Sequence, residues 1–573
     1  MKQNAFILVA LVCIITLGCI AYFNTLDGDW VWDDVSSVLL HQHVQEPAEF
    51  FQLFKEDQHA FGRGQGNFYR PLVAASFMWD FWLSHDPVQD TRPGQSYPEV
   101  SPFLFHCTNI IWHVAAAVLL CCLLVRFGAP RFVSLVVPLI FVVHPLHTEA
   151  VAYISGRADM MSAVFIFAAL FFAFQEGTSQ KRIAGIVLST IVFGFGLLSK
   201  ESTLIYPLLL VLFIALLPYP EFKEKKARKD AIKQRLTPLF PAVVVILIYI
   251  YLRSTVLRFA DMTVDASPFL VRIVETFQSF AIYIRLLFIP TGLHMERTLD
   301  HAGVGTAVIG AVLLLLSIAL FVWAIKVKKH RIALGMGWFL LAWLQISGIF
   351  PLNAPLAEHW MYVPMAGFWW ALVELLYAYT PATIQWRRTR TALVTGLCLV
   401  FVLLTVERND DWQNNDRLFR ATLAQNPNTI RVHYNLAVTY EDLEGNLSGA
   451  RRHYEHVLAL YRQQKVDNQL SEDALLPEEI DVYLSLGKIH FHQQDYERSR
   501  SELAYLLNAV LNESSRDLLS RFRQEVASAA MWYGKSALAM GEIAEAEMSF
   551  RQAVTLIPEF SGEVDTLLTG API

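Results

Sequence analysis

The sequence has few charged residues and few cysteines. Lys, Arg, Asp and Glu make up 17% of its 573 residues, and hydrophobic residues make up 54%. Since an average soluble domain carries about 25% charged residues, the composition excludes a chain that is soluble throughout. No CxxC pair occurs, so neither a disulfide framework nor a cysteine-based metal site is expected. All six cysteines lie in apolar segments: Cys13, Cys19, Cys107, Cys121, Cys122 and Cys398.

Long apolar runs fill the first part of the chain. Each is near the ~20 residues that a helix needs to cross a bilayer. Residues 407–573 are instead polar and helix-rich, so we predict an all-α protein with a polytopic membrane domain (1–406) and a soluble domain (407–573). The eleven predicted spans are 5–22, 103–125, 131–150, 158–175, 183–199, 202–218, 238–253, 304–325, 332–350, 361–379 and 391–406.

The charges of the connectors predict the topology. Short basic loops stay on the cytoplasmic side, and the basic connectors are 126–131, 181–182, 221–235, 326–331 and 386–390. This pattern places the N-terminus inside, and the loop 23–102 and the C-terminal domain outside. The segment 271–290 is apolar but contains Arg272, Glu275 and Arg285. We predict a re-entrant or surface helix there, because a full crossing would move the basic connector 326–331 outside.

Ionisable residues gather in the predicted outer connectors. Asp33 and Asp34 follow the first span, and carboxylates at a membrane boundary indicate a function. The chemistry suits sugar transfer from a polyprenyl phosphate: a carboxylate takes the proton of the acceptor hydroxyl, and cationic groups bind the phosphate. The candidate donor-binding residues are Arg70, His144, His147, Glu149, Arg157, Asp159, Lys200, Glu201, Arg297, Glu358, His359 and Tyr362.

Simpler interpretations compete for these residues. Any single loop charge can be a solvated surface group. His144, His147 and Glu149 are residue types that bind metals, but their spacing matches no known ligand signature. We therefore expect no metal centre, and a divalent metal remains the alternative for this segment.

The C-terminal domain contains a repeat of helical pairs. Its period is near the ~34 residues of tetratricopeptide repeats. The copies are 434–457, 483–503 and 533–558. Three repeats are about the minimum for a stable stack. We predict an α-solenoid that binds a protein acceptor or partner, with a purely structural scaffold as the alternative.

Seven motifs stand out in the sequence: WDDVSSVL (32–39), YRPL (69–72), HCTNIIWH (106–113), HPLHTEAVAYISGRADMMSA (144–163), LLSKES (197–202), LLFIPTGLHME (286–296) and AEHWMYVPMAGF (357–368). Together these motifs resemble the transmembrane and tetratricopeptide-repeat protein O-mannosyltransferases. The resemblance implies a GT-C fold and an inverting transfer of mannose from polyprenyl phosphate to Ser or Thr hydroxyls. It also implies that an acid of the first outer loop is the base, here Asp33 or Asp34, with Asp33 favoured.

The expected partners are a polyprenyl-phosphate sugar, a protein acceptor and membrane lipid, without nucleic acid. The short repeat array predicts a bacterial relative in the inner membrane with its site in the periplasm, or an ER membrane protein with a lumenal site if the chain is eukaryotic. Three alternatives stay open: transfer to a glycan or lipid, a non-catalytic assembly scaffold, and a transporter. The transporter ranks lowest, because it needs charges near the midplane and repeat-related halves.

Overall fold

The computed structural model describes residues 3–61, 68–84, 100–218, 232–257, 268–299, 302–352, 354–442, 445–467, 471, 475–511 and 516–569. Within these ranges the chain is helical and contains no β-strand. It divides into two compact units, 1–421 and 422–573. The all-α prediction is confirmed. Part of the basic connector 221–235, from 221 to 231, lies outside the described residues.

The helices of the first unit are numbered in chain order. They are α1 Gln3–Tyr22, α2 Gln42–Gln45, α3 Pro71–Ser84, α4 Phe103–Arg126, α5 Arg131–Val143, α6 Thr148–Val151, α7 Arg157–Ala173, α8 Ser179–Leu197, α9 Tyr206–Leu216, α10 Leu239–Val256, α11 Phe269–Phe288, α12 Val304–Lys326, α13 His330–Leu344, α14 Tyr362–Tyr379 and α15 Ile384–Asp411. A further helix, α16 Asn415–Gln425, runs across the division between the units.

Eight helices among the described residues are long and apolar enough to cross a membrane, in the stretches 3–27, 103–126, 154–173, 179–197, 232–256, 304–326, 359–379 and 384–411. A ninth crossing results if α5 and the segment 145–151 form one span, although the helix axis bends by 54° between them. The protein is therefore an integral membrane protein. The count of eleven is not confirmed, because the runs at 202–218 and 332–350 form the shorter helices α9 and α13.

The position of each helix follows from its side chains. Most residues of α7 and α14 are buried, whereas α10 and α12 expose most of their apolar side chains, as expected of helices that face lipid. Helices α13 and α14 approach closely at Gly335 and Gly367. A Cβ on Gly335 would lie 2.6 Å from the backbone nitrogen of Ala371. Small residues at such crossings let membrane helices pack by their backbones.

Helix α11 contains the segment predicted to lie on the surface. It packs along α12, where a Cβ on Gly310 would overlap the backbone of Phe277. The rings of Phe280 and of Trp343 in α13 have centroids 4.6 Å apart. The carbonyl of Leu287 accepts a hydrogen bond from the His144 ring. Helix α11 is not among the eight candidate spans, and its surface location stays a prediction.

The membrane unit extends beyond residue 406. Helix α15 continues without a break to Asp411, and the side-chain amide of Asn409 bonds to Ala21 and Asn24 beside the first helix. These bonds attach the polar end of α15 to the first unit. The structure therefore divides the chain after Ala421, later than the predicted boundary after residue 406.

The second unit consists of helical pairs. Its helices are α17 Ile430–Asp442, α18 Leu447–Asp467, α19 Glu479–His492, α20 Tyr496–Leu511, α21 Arg516–Arg521, α22 Arg523–Ala539, α23 Ile543–Leu556 and α24 Ser561–Leu568. In two pairs a glycine faces a large side chain: Gly487 packs on Leu503 and Gly534 on Phe550, where an added Cβ would lie 2.5 Å from each. The repeats predicted from sequence correspond to the pairs α17/α18, α19/α20 and α22/α23.

Candidate functional site

Asp34 is fully buried and holds two peptide groups. One carboxylate oxygen accepts the backbone N–H of Ser155 at 2.8 Å, and the other accepts the N–H of Val31 at 3.2 Å. The carboxylate thus fastens the first loop to the turn before α7. Burial raises the pKa of Asp34 to about 7, against the smaller opposing effect of its hydrogen bonds.

Asp33 lies beside Asp34 but has a different environment. Its side chain is half-buried, and its carboxylate interacts with the Tyr153 hydroxyl and with the charge of His59. The His59 ring contacts the hydroxyls of Ser36 and Ser37 at 3.4 and 3.3 Å. Burial lowers the pKa of His59, while the neighbouring carboxylates oppose that shift. Asp33 is thus the more accessible acid of the pair.

An aromatic stack supports the residue before Asp33. Trp32 stacks on Tyr153 with ring centroids 5.7 Å apart, and the rings of Tyr153 and Trp412 have centroids 5.5 Å apart. The φ angle of Trp32 is 51°, in the left-handed region. A non-glycine residue pays about 1–3 kcal/mol there, and such strain clusters at functional sites.

Arg70, Asp159, Lys200 and Glu201 form one network of ion pairs. Arg70 makes a two-point contact with Glu201, the shorter at 2.9 Å, and Lys200 contacts Asp159 at 2.7 Å. The charge of Arg70 also acts on His59. This network of two cations and two carboxylates therefore adjoins the surroundings of Asp33.

A second network contains Glu149, Glu358 and His359. Glu149 accepts both the ring and the backbone nitrogen of His359, each at 2.9 Å. Glu358 accepts the backbone N–H of His294 and contacts the guanidinium groups of Arg297 at 3.5 Å and Arg408 at 3.4 Å. The Nε atoms of both arginines are buried without a hydrogen-bond partner among the described atoms.

Arg408 connects this second network to the aromatic stack. Its guanidinium lies 5.8 Å from the Trp412 ring. Burial raises the pKa of Glu358, and the neighbouring arginines oppose that shift. The surroundings of Asp33 are thus flanked by two networks that contain arginine.

Arg157 does not lie at an open phosphate site. Its guanidinium is fully buried, pairs with Asp80 at 2.6 Å and bonds to Asn109, Ser76 and the carbonyl of Phe105. Every nitrogen of the side chain therefore has a protein partner. The expectation of a phosphate contact here is not supported, because the group is used to hold α3, α4 and α7 together.

His144, His147 and Tyr362 are also in the interior. The His144 ring bonds to the backbone of Leu287 and Leu146. His147 is packed between aromatic rings, with Tyr362 at 4.3 Å, and the Tyr362 hydroxyl bonds to His113 at 2.6 Å. Within the described part of the chain, no group of three or more His, Cys, Asp or Glu residues could hold a metal ion.

Four residues near Asp33 were missed by sequence reasoning. Trp32 and Tyr153 lie inside recognised motifs but have no titratable role that would select them. Arg408 follows the predicted end of the last span. His59 lies in a loop segment without any motif, so the sequence offers no signal for it.

The pKa of Asp34 predicts a specific pH dependence of stability. Because the pKa in the folded state lies above the ordinary value of about 3.9, proton binding favours the folded state. This contribution is fully present below pH ~4 and is lost as the pH rises through ~7. We expect the melting temperature of the wild type in detergent to fall between these pH values more steeply than that of Asp34→Asn. Parallel curves would contradict the assigned pKa.

Known proteins match both parts of the chain. Residues 527–560 match a model of the tetratricopeptide repeat. Protein O-mannosyl-transferase TMTC4 of Mus musculus is 24% identical over 498 residues, which cover 77% of this chain and 64% of the relative. For TMTC1 of Homo sapiens the identity is 25% over 495 residues, or 77% and 54% of the two chains. For TMTC3 of Mus musculus it is 23% over 592 residues, or 96% and 60%.

These matches confirm the resemblance predicted from the motifs. The chain is homologous to O-mannosyltransferases over most of its length. It spans less than two thirds of the length of these relatives. The relatives are animal proteins and give no support to the expected bacterial origin.

Proposed function

We propose that this protein is a membrane O-mannosyltransferase that moves mannose from a polyprenyl phosphate to a Ser or Thr hydroxyl of a protein, with inversion at the anomeric carbon. The observation that carries the proposal is the environment of Asp33 in a chain homologous to protein O-mannosyl-transferases. Asp33 is a half-buried acid beside a histidine, in the loop that follows a candidate membrane span.

Asp33 suits the role of general base better than Asp34. A base must reach the proton that it removes. Both oxygens of Asp34 accept backbone N–H groups in the interior, so this carboxylate is not available to a substrate. Asp33 is partly exposed, and the hydroxyl of Tyr153 can orient its carboxylate.

An apolar groove on the first unit supports a lipid-linked donor. A cavity of about 490 Å³ lies between the end of α11 and the middle of α15. Its walls are apolar, and they include Phe288, Pro290, Gly396, Leu397, Phe401 and Leu404. Arg408 follows Leu404 by one helical turn, and Arg297 bonds to the carbonyl of Gly292 beside the groove. A prenyl chain in this groove would bring its phosphate toward two guanidinium groups, which bind phosphate well.

The proposed step is a single displacement. The acceptor oxygen attacks the anomeric carbon while the bond from that carbon to the phosphate oxygen breaks. Asp33 takes the hydroxyl proton, and the leaving polyprenyl phosphate keeps the bonding electron pair. Arg297 and Arg408 stabilise the charge that develops on the phosphate. Glu358, which pairs with both arginines in this structure, would share them with the phosphate.

In this proposal the repeat unit binds the acceptor protein. Helical repeats expose extended surfaces that bind peptides and proteins. The charges of the connectors favour an outer location for both the site and the repeats. The site would then face the periplasm of a bacterium or the lumen of the ER.

An assay with defined donors tests this function. The purified protein in liposomes is given radiolabelled polyprenyl-phosphate mannose or GDP-mannose, together with membrane proteins as acceptors. We expect label on protein from the lipid donor alone, released by β-elimination as expected of a Ser/Thr linkage. Label on lipid or glycan would favour the alternative acceptors. Without transfer from either donor, the scaffold interpretation would replace this proposal.

A further inference from the structure

The turn between α15 and α16 is fastened to the first loop. The side-chain oxygen of Asn415 accepts the backbone N–H of Trp32 at 2.8 Å. The carbonyl of Gln413 accepts the N–H of Asp29, also at 2.8 Å. The ring of Trp412 extends the stack of Trp32 and Tyr153. The residues 412–415 thus contact the loop segment that ends at Asp33.

Asn415 bonds to a peptide group that is in an unfavourable conformation. Trp32 has a positive φ of 51°, and its own side chain does not favour this geometry. Such a conformation persists only where the surroundings determine it. The Asn415 bond acts on the same residue whose carbonyl is joined to Asp33, so it fixes the direction in which the Asp33 side chain leaves the backbone.

We propose that Asn415 is a positioning residue for Asp33. By accepting the Trp32 N–H it holds the left-handed turn, and the turn aims the Asp33 carboxylate. The role of Asp33 as base rests on the proposed function, whereas the effect of Asn415 on the Asp33 carboxylate does not. The two ideas can therefore fail separately.

The test combines a chemical and a kinetic measurement on the full chain in liposomes. A water-soluble carbodiimide with an amine labels accessible carboxyl groups, and tandem mass spectrometry separates Asp33 from Asp34. The variants are Asn415→Ala, which removes the acceptor, and Asn415→Asp, which keeps an oxygen at that position. Gln425→Ala is the matched control, because Gln425 is an exposed residue at the other end of the same helix.

For Asn415→Ala we expect an altered rate and an altered pH midpoint of Asp33 labelling. In Asn415→Asp and Gln425→Ala, Asp33 should be labelled at the wild-type rate. With polyprenyl-phosphate mannose as donor, kcat should fall about 10- to 100-fold, whereas the KM for the donor should change less than about twofold. If the wild type transfers no mannose, the labelling still decides whether Asn415 positions Asp33.

Wild-type labelling of Asp33 in Asn415→Ala would overturn the proposal. The same holds if kcat and KM change together, or if Gln425→Ala has the same effect as Asn415→Ala. If Asn415→Ala does not accumulate, Asn415→Ser is measured instead, because its shorter side chain cannot span the same distance. Wild-type labelling in that variant would equally overturn the proposal.

Discussion

Asp33→Asn is expected to lower mannose transfer by about 10²- to 10⁴-fold without loss of folded protein. The amide keeps the size of the side chain but cannot take a proton from the acceptor hydroxyl. Because Asp33 is half-buried and its backbone carbonyl, which accepts the N–H of Ser37, is the same in the variant, we expect the exchange to leave the loop intact. The measurement is transfer from polyprenyl-phosphate mannose at equal amounts of purified, monodisperse protein.

The matched control is the neighbouring carboxylate. Asp34→Asn places an amide NH₂ against one of the two backbone N–H groups that Asp34 now accepts. An unmade hydrogen bond in the interior costs about 1–3 kcal/mol, so this variant should melt at a lower temperature. If Asp33→Asn transfers mannose at the wild-type rate, the general base is not Asp33. Loss of transfer in a fully stable Asp34→Asn would instead move that role to Asp34.

Arg157→Ala is expected to cost about 3–5 kcal/mol of folding free energy, because it leaves the Asp80 carboxylate buried without its partner. The pair lies at 2.6 Å, and both side chains are almost inaccessible to solvent. Burial already raises the pKa of Asp80 despite the nearby guanidinium. The measurement is the melting temperature and the yield of monodisperse protein in detergent.

A double substitution separates a structural role from phosphate binding. In the double variant Arg157→Met with Asp80→Asn, neither member of this pair is charged. Much of the stability lost in Arg157→Ala should therefore return. If Arg157 serves structure alone, the double variant should also keep the KM for polyprenyl-phosphate mannose. A large increase in this KM in a stable double variant would restore Arg157 as a phosphate contact.

Sequence patterns predicted the helices better than the roles of polar residues. Apolar runs of about 20 residues indicate spans whatever their neighbours, and eight such spans are present among the described residues. An apolar run does not show where a helix ends before the run itself ends. Helix α5 ends before Pro145, which begins a separate turn, and α13 ends at Leu344.

The roles of polar residues depend on partners far away in the chain. Asp33 and Asp34 are neighbours that the sequence does not distinguish; the structure distinguishes them by the burial of Asp34 and by its bonds to the N–H groups of Val31 and Ser155. Arg157 lies in the most specific motif, but its partner Asp80 belongs to no motif. Asn415 acts on Trp32 across most of the chain. Such pairings arise from the tertiary fold and leave no local pattern.

Helix α15 sets a distance between the two sides of the membrane. Its 28 residues run from Ile384 to Asp411 without interruption, which corresponds to about 42 Å at 1.5 Å per residue. The basic residues near its start and Arg408 near its end both prefer to lie outside the hydrocarbon. In a thinner bilayer such a helix tilts, and its far end carries the turn that contacts Trp32. Hydrophobic mismatch between α15 and the surrounding lipids would therefore act on the turn that contacts Trp32.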